Sequence, residues 1–330
     1  MAISIPTIPL HPDDWAEVIG QDLADFVGAG GAMVRFMVCD KPADLAYARD
    51  SLRRLAEDSK LHFFHVDGSQ TRLHFPNEIL AAVAEQIDFH RLMTSFLFQA
   101  VLDEGYEIPS GAEDFVIREI AGMNEVLPKD VHGVINARIK SDIMRDRRLV
   151  RDVRYALWAI ARDVLRVAPS DIAGDIPKRW LIGQVPSIKD LRNFGIVQKV
   201  NRYNARGVLR SVLTWLPASQ WNGSIVFIDA LRLAEPRNLR DGKVFYTRVA
   251  LSDVYEVMRE FIDETDDMSH VLMVFAMPPE FLSIDPRGRG MGAYQALQFR
   301  VTSFAEATLP NPLSNMVLLS KQAQRRSFSA

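Results

Sequence analysis

Ser224-Ile225-Val226-Phe227-Ile228-Asp229 is a continuous apolar run closed by an acid. A strand buried on both faces of a parallel sheet takes this form, with its carboxyl end at an active edge. Three further runs share that character: Met33-Val34-Arg35-Phe36-Met37-Val38-Cys39, then Leu61-His62-Phe63-Phe64-His65-Val66 closed by Asp67-Gly68, then Val271-Leu272-Met273-Val274-Phe275-Ala276. Met316-Val317-Leu318-Leu319-Ser320 is expected to form a fifth strand. Between the runs the apolar period becomes helical, as in Leu45, Ala48, Leu52 and Leu55 of the segment Pro42 to Asp58. Helices are also expected at about Pro76 to Gln86, His90 to Leu102, Val197 to Leu216 and Leu251 to Ile262. Strands alternating with helices predict an α/β fold built on a doubly wound parallel sheet. From about Ile108 to Leu181 the pattern is helical, with no convincing strand. The expected organisation is therefore an α/β core in two halves, 1–105 and 182–330, with a helical insert at 106–181.

The 330 residues are 48% hydrophobic and 25% charged, an ordinary globular composition with enough apolar material for a full core. A net charge of -3 supplies no global basic field, so any nucleic-acid contact has to be local. Cys39 is the only cysteine, which excludes an intrachain disulfide and a cysteine-built zinc site. Met1 to Leu10 lacks the basic start and apolar stretch of a signal peptide, and no apolar run reaches the ~18 residues of a membrane span. A soluble, cytoplasmic protein is expected.

Candidate chemistry is sparse. Asp229 at a strand end could as well be a simple turn residue. Gly28-Ala29-Gly30-Gly31 precedes a strand instead of following it, which is the wrong place for a dinucleotide fingerprint and reads as a turn. Gly288, Gly290 and Gly292, interleaved with Arg287 and Arg289, suit either a flexible basic loop that grips phosphate or a partner, or a plain surface loop. His62 and His65 stand three apart on a strand and so face opposite sides; no metal site is expected. Arg145, Arg147, Arg148, Arg151, Arg154, Arg162 and Arg166 crowd one helical stretch but are interrupted by Asp142, Asp146, Asp152 and Asp163. That pattern fits a solvated helix stitched by ion pairs, or a face for nucleic acid or a partner.

Several pieces occur in a characteristic order: Lys178-Arg179-Trp180-Leu181-Ile182-Gly183-Gln184, Leu191-Arg192-Asn193-Phe194-Gly195-Ile196, Asn204-Ala205-Arg206-Gly207-Val208-Leu209, and Trp221-Asn222-Gly223 leading into the strand that ends at Asp229. Downstream come Pro279-Glu280-Phe281, the Arg287-Gly288 turn, Tyr294-Gln295-Ala296-Leu297 and Arg300. With Gly30-Gly31-Ala32-Met33-Val34-Arg35-Phe36 upstream, this series resembles the BREX-associated ATP-binding P-loop family, of BrxC/BrxD type. The resemblance spans about residues 15 to 325 and is strongest from Lys178 to Arg300.

That resemblance implies a P-loop-NTPase-like fold of AAA+/ASCE type, with a glycine-rich phosphate loop after the first strand and an Asp-Glu pair after the third. Here the phosphate-loop position reads Cys39-Asp40-Lys41-Pro42-Ala43-Asp44-Leu45-Ala46, without the glycines, the lysine or the magnesium-binding hydroxyl. The acidic pair reads Asp229-Ala230, so the glutamate that would activate water is replaced by alanine. The family's helical lid is also expected to be missing after Asn311-Pro312-Leu313. The implied function is that of a degenerate ATPase homologue, a structural or regulatory subunit of a bacterial anti-phage system. It would need no cofactor and would dock on an active ATPase or helicase of that system. Two alternatives stay open. One is a residual ATPase that uses ATP and magnesium. The other is a DNA-binding module acting through the Arg145 to Arg166 stretch, Arg287, Arg289 and Arg300.

Overall fold

The computed structural model describes every residue except 1–5, 7, 40, 166–174, 185–186, 303–310 and 327–330. Asp40 and Arg166 therefore lie outside the described residues. The chain divides into two compact units, one made of Met1–Ile79 with Asn222–Ala330 and the other of Leu80–Trp221.

The first unit holds five strands: β1 (Ala32–Cys39), β2 (Leu61–Asp67), β3 (Gly223–Asp229), β4 (Val271–Met277) and β5 (Met316–Leu319). They form one sheet in the order β2-β3-β4-β1-β5, and every neighbouring pair is parallel. β4 is buried along its whole length and β3 along all but its last residue, as their unbroken apolar sequences require. The crossover from β1 to β2 passes over the positions of β4 and β3, so β1 sits between β4 and β5. This is the P-loop-NTPase-like sheet, with the acid-ended strand β3 separated from β1 by β4.

Helices cover both faces of this sheet. α1 (Pro12–Asp22) and α2 (Pro42–Asp58) bury Trp15, Ile19, Leu45 and Leu52 with Met37, Phe227 and Val274 of the strands. α1 starts sharply: Pro12 supplies the fixed φ, the Asp13 N–H donates to His11 Nδ1 at 3.2 Å, and Asp13 and Asp14 meet the helix dipole. It runs on into a π-helical turn, Leu23–Val27. The opposite face carries α11 (Arg248–Asp263) and α12 (Gln295–Val301). There Phe36 stacks between Phe275 and Phe281, at 5.2 and 5.8 Å between ring centroids.

The second unit has helices and no strand among its described residues. α3 (Pro76–Ala84) leads into it, followed by α4 (Phe89–Asp103), α5 (Ile117–Met123), α6 (Pro128–Ile139), α7 (Arg151–Val164), α8 (Asp175–Leu181), α9 (Ile188–Arg192) and α10 (Ala205–Trp215). α7 buries Val153, Ala156, Leu157, Ile160, Ala161 and Val164, an i, i+3, i+4 stripe that explains why this arginine-rich segment folds as a helix. α4 and α10, on either side of 106–181, belong to the same unit.

Two helical readings need adjustment. The arginine-rich stretch is not one helix: α6 ends in a π-helical turn, Lys140–Met144, and the chain is irregular until α7 begins at Arg151. Asp146 diverts the chain there by accepting the Arg148 N–H at 2.9 Å. The helix expected from Val197 begins instead at Ala205, because Asn201 and Asn204 bond the local backbone: Asn201 Oδ1 accepts the Tyr203 N–H, and Asn204 Oδ1 accepts the Asn201 N–H, both at 2.8 Å. No helix among the described residues is long and apolar enough to cross a membrane.

Candidate functional site at the carboxyl edge of the sheet

In an open parallel sheet the chemistry gathers where strands end and the topology reverses. β1 ends at Cys39 and α2 starts at Pro42, so only two residues, 40 and 41, connect them. Cys39 is buried, in register with Leu319 of β5. Lys41, Pro42 and Ala43 are exposed, Asp44 and Leu45 are buried, and Ala46 is half-buried.

The donors available at this turn are few. Pro42 has no N–H, and the N–H groups of Asp44 and Leu45 both go to the Lys41 carbonyl, at 3.0 and 3.2 Å. The Asp44 carboxylate is only 4% exposed and accepts the backbone N–H of Lys321, beyond β5, at 3.4 Å. The amino end of α2 is thus already compensated by an acid of its own. Lys321 places its ammonium 3.9 Å from the Tyr47 ring. A phosphate cradle requires several consecutive inward N–H groups and a cation; Lys41 is exposed, but among the described residues of this turn the Asp44 and Leu45 N–H groups are engaged and an acid is buried beside them, so they do not fit that group.

The acid-ended strand is held firmly. Asp229 Oδ1 accepts the Leu231 N–H at 3.0 Å, the Asp229 carbonyl accepts the Gly68 N–H at 2.8 Å, and the Ala230 N–H donates to the Ala276 carbonyl at 2.9 Å. Gly68 is required here, since a Cβ would lie 2.5 Å from the Asp229 carbonyl. Ala230 is fully buried, which fits a methyl and would enclose a longer acidic side chain.

Asp229 stands opposite Asp67, which ends β2, and the two acids line one cleft of ≈ 530 Å³ with Ser69, Arg232, Lys243 and Glu280. Burial pushes the Asp229 carboxyl above the usual carboxylate range, and the Asp67 charge adds to that. Asp67 and Glu280 were not singled out from the sequence. The available signal was that β2, like β3, closes on an acid. His65 is held below the usual histidine range, first by burial and then by the Arg49 charge.

Asp229→Asn keeps the acceptor for Leu231 and removes the charge. A carboxyl whose pKa is raised on folding costs stability once the pH passes upward through the ordinary carboxylate range. The variant is therefore expected to be more stable than the parent at pH 7, by a margin that shrinks as the pH falls toward 4. Urea denaturation at several pH values checks this, and a loss of stability at pH 7 would contradict it.

The candidate arginines are dispersed. Arg289 is turned inward, donating to the carbonyls of Leu233 and Tyr246, both at 2.8 Å. Arg287 is exposed, and Arg300 pairs with Asp263 at 2.9 Å. The glycine loop between them is packed instead of flexible: a Cβ on Gly290 or Gly292 would collide with the backbone of residues 280–284. Arg145, Arg147, Arg148 and Arg151 lie in the helical unit.

The family model for BREX system ATP-binding protein BrxC/D matches residues 13–328. The chain belongs to that family. No curated protein and no solved structure matches it. In the fold, β1 ends at the two-residue connection to α2 and β3 ends at Asp229, followed by Ala230.

Proposed function

We propose that this BREX-system protein is a catalytically silent member of its family, a structural or regulatory subunit that keeps the ATPase scaffold for docking. The observation that carries the reading is the β1–α2 turn, where Pro42 lacks a donor, the N–H groups of Asp44 and Leu45 are spent on the Lys41 carbonyl, and Asp44 is buried against the Lys321 N–H. Ala230 supports it independently, since a methyl cannot orient an attacking water. The partner that suits such a subunit is an active ATPase or helicase of the same defence system, met in the cytoplasm.

Calorimetry with magnesium-ATP is expected to show no binding up to millimolar nucleotide, with no phosphate release above background. Micromolar affinity would overturn the reading. A turnover abolished by Asp229→Ala would instead establish a residual ATPase.

A further inference from the structure

Between Leu191 and Ile228 the sequence holds five basic residues and no acidic one. The fold brings this stretch against the arginine cluster some fifty residues earlier. The Asp152 carboxylate, on the first turn of α7, accepts the N–H groups of Val197 and Gln198 at 3.2 and 3.0 Å. The Val150 N–H donates to Ser211 Oγ of α10 at 2.9 Å, and Gly207 abuts Val150. The Tyr155 ring, with the Arg151 guanidinium 4.9 Å from its centroid, packs on Gly195. Arg147, Arg148 and Arg151 therefore share one region of the helical unit with Lys199 and Arg202.

The acids of this region are turned inward and the bases outward. The side chains of Asp146 and Asp152 are each 13% exposed, whereas those of Arg148 and Arg151 are 63% and 51% exposed. Arg147, Lys199 and Arg202 are exposed as well. Asp152 accepts two backbone N–H groups and lies 3.5 Å from Arg151, and Asp146 pairs with Arg148 at 2.7 Å, so two arginines are balanced by acids while Arg147, Lys199 and Arg202 add to the exposed positive charge. A stretch whose sequence alternates acids with bases thus presents a positive face. On it stands Tyr203, 77% exposed, with the Arg202 guanidinium 4.7 Å from its ring centroid. An aromatic ring this exposed contributes nothing to a core, and a cation beside it suits stacking on a planar base.

We propose that this face binds single-stranded nucleic acid, with the arginines and Lys199 following the phosphates and Tyr203 stacking on an unpaired base. The assignment does not depend on whether the β1–α2 turn binds nucleotide, because the face lies wholly in the helical unit.

The full-length chain is titrated with a fluorescent 30-nucleotide DNA strand and with its duplex, from 50 to 200 mM salt. Single-strand affinity is expected to fall roughly a hundredfold across that range. Neutralising Arg147, Arg148 and Arg151 together should weaken binding at least tenfold and lower the salt slope by about two. Lys199→Ala with Arg202→Ala tests the other segment and should also lower the slope. Tyr203→Ala should weaken single-strand binding about tenfold and leave the slope unchanged. Absence of binding at 50 mM salt, tighter binding of the duplex, equal binding of polyglutamate, or indifference to both charge variants while the fold is intact by circular dichroism would each overturn the proposal.

Discussion

Tyr246→Ala is expected to lose about 3–5 kcal/mol of stability, the scale of a buried aromatic removed from a packed site. Tyr246 is completely buried in the connection between β3 and α11. Its hydroxyl accepts the Leu73 N–H at 3.2 Å and lies within donating distance of the Gly68 and Thr71 carbonyls, at 2.8 and 2.7 Å. One phenol therefore closes the turn that follows β2, the turn that delivers Asp67 and Ser69 to the cleft. Burial raises its ionisation well beyond the ordinary tyrosine range, so it acts as a neutral donor and acceptor. Tyr246→Phe keeps the ring and strands the Leu73 N–H, at a cost of about 1–3 kcal/mol. Urea denaturation of both variants separates ring from hydroxyl. A loss under 1 kcal/mol for the alanine variant would mean that the turn closes without this residue.

Acidification is expected to destabilise the protein between about pH 6.5 and 4, and His62 to carry the largest single share. Burial lowers its pKa to about 4, on β2 beside Phe64, whose ring stacks on it at 5.6 Å. The unfolded chain takes up a proton near pH 6.5 while the folded chain resists until about 4, so stability is complete above 6.5 and is lost as the pH falls through this window. Allowing for the solvent that reaches part of the ring, the loss from His62 comes to ~2 kcal/mol. Burial holds His65 and His74 low as well, and they add in the same direction. Asp229 opposes them, since its raised pKa favours the folded state at lower pH. Thermal unfolding followed from pH 7 to 4.5 should show the decline, flattened in His62→Phe. A variant that declines as steeply as the parent would remove His62 as the source.

The sheet was legible because β3 and β4 at its centre are buried on both faces and read as unbroken apolar runs. All five runs read as strands are strands, including the edge strand β2 with its half-buried histidines. The arginine stretch was less legible, because composition reports charge and not direction. Asp146 and Asp152 break the sequence pattern yet are drawn inward by backbone N–H groups and neighbouring arginines, and a bond between Asp146 and the Arg148 N–H ends what periodicity would have continued as a helix. Residues 12–27 were passed over because proline and small residues mask the apolar positions Trp15, Val18 and Ile19, which only packing on α2 and the sheet makes evident. The Gly288 to Gly292 loop suited either a flexible basic loop or a plain surface loop by sequence; in the fold Gly290 and Gly292 permit close approach to residues 280–284.

At the candidate site the same division holds. The residue types alone determined that β1 leads into Asp40-Lys41-Pro42 and that alanine follows Asp229, because which functional groups a segment carries is fixed before it folds. Strand order, the pairing of Asp229 with Asp67, the occupation of Asp44 by the Lys321 N–H and the joining of Asp152 to Val197 and Gln198 were decided only by the tertiary structure. Each depends on residues tens to hundreds of positions apart, and no local period in a sequence records which distant backbone will supply the partner.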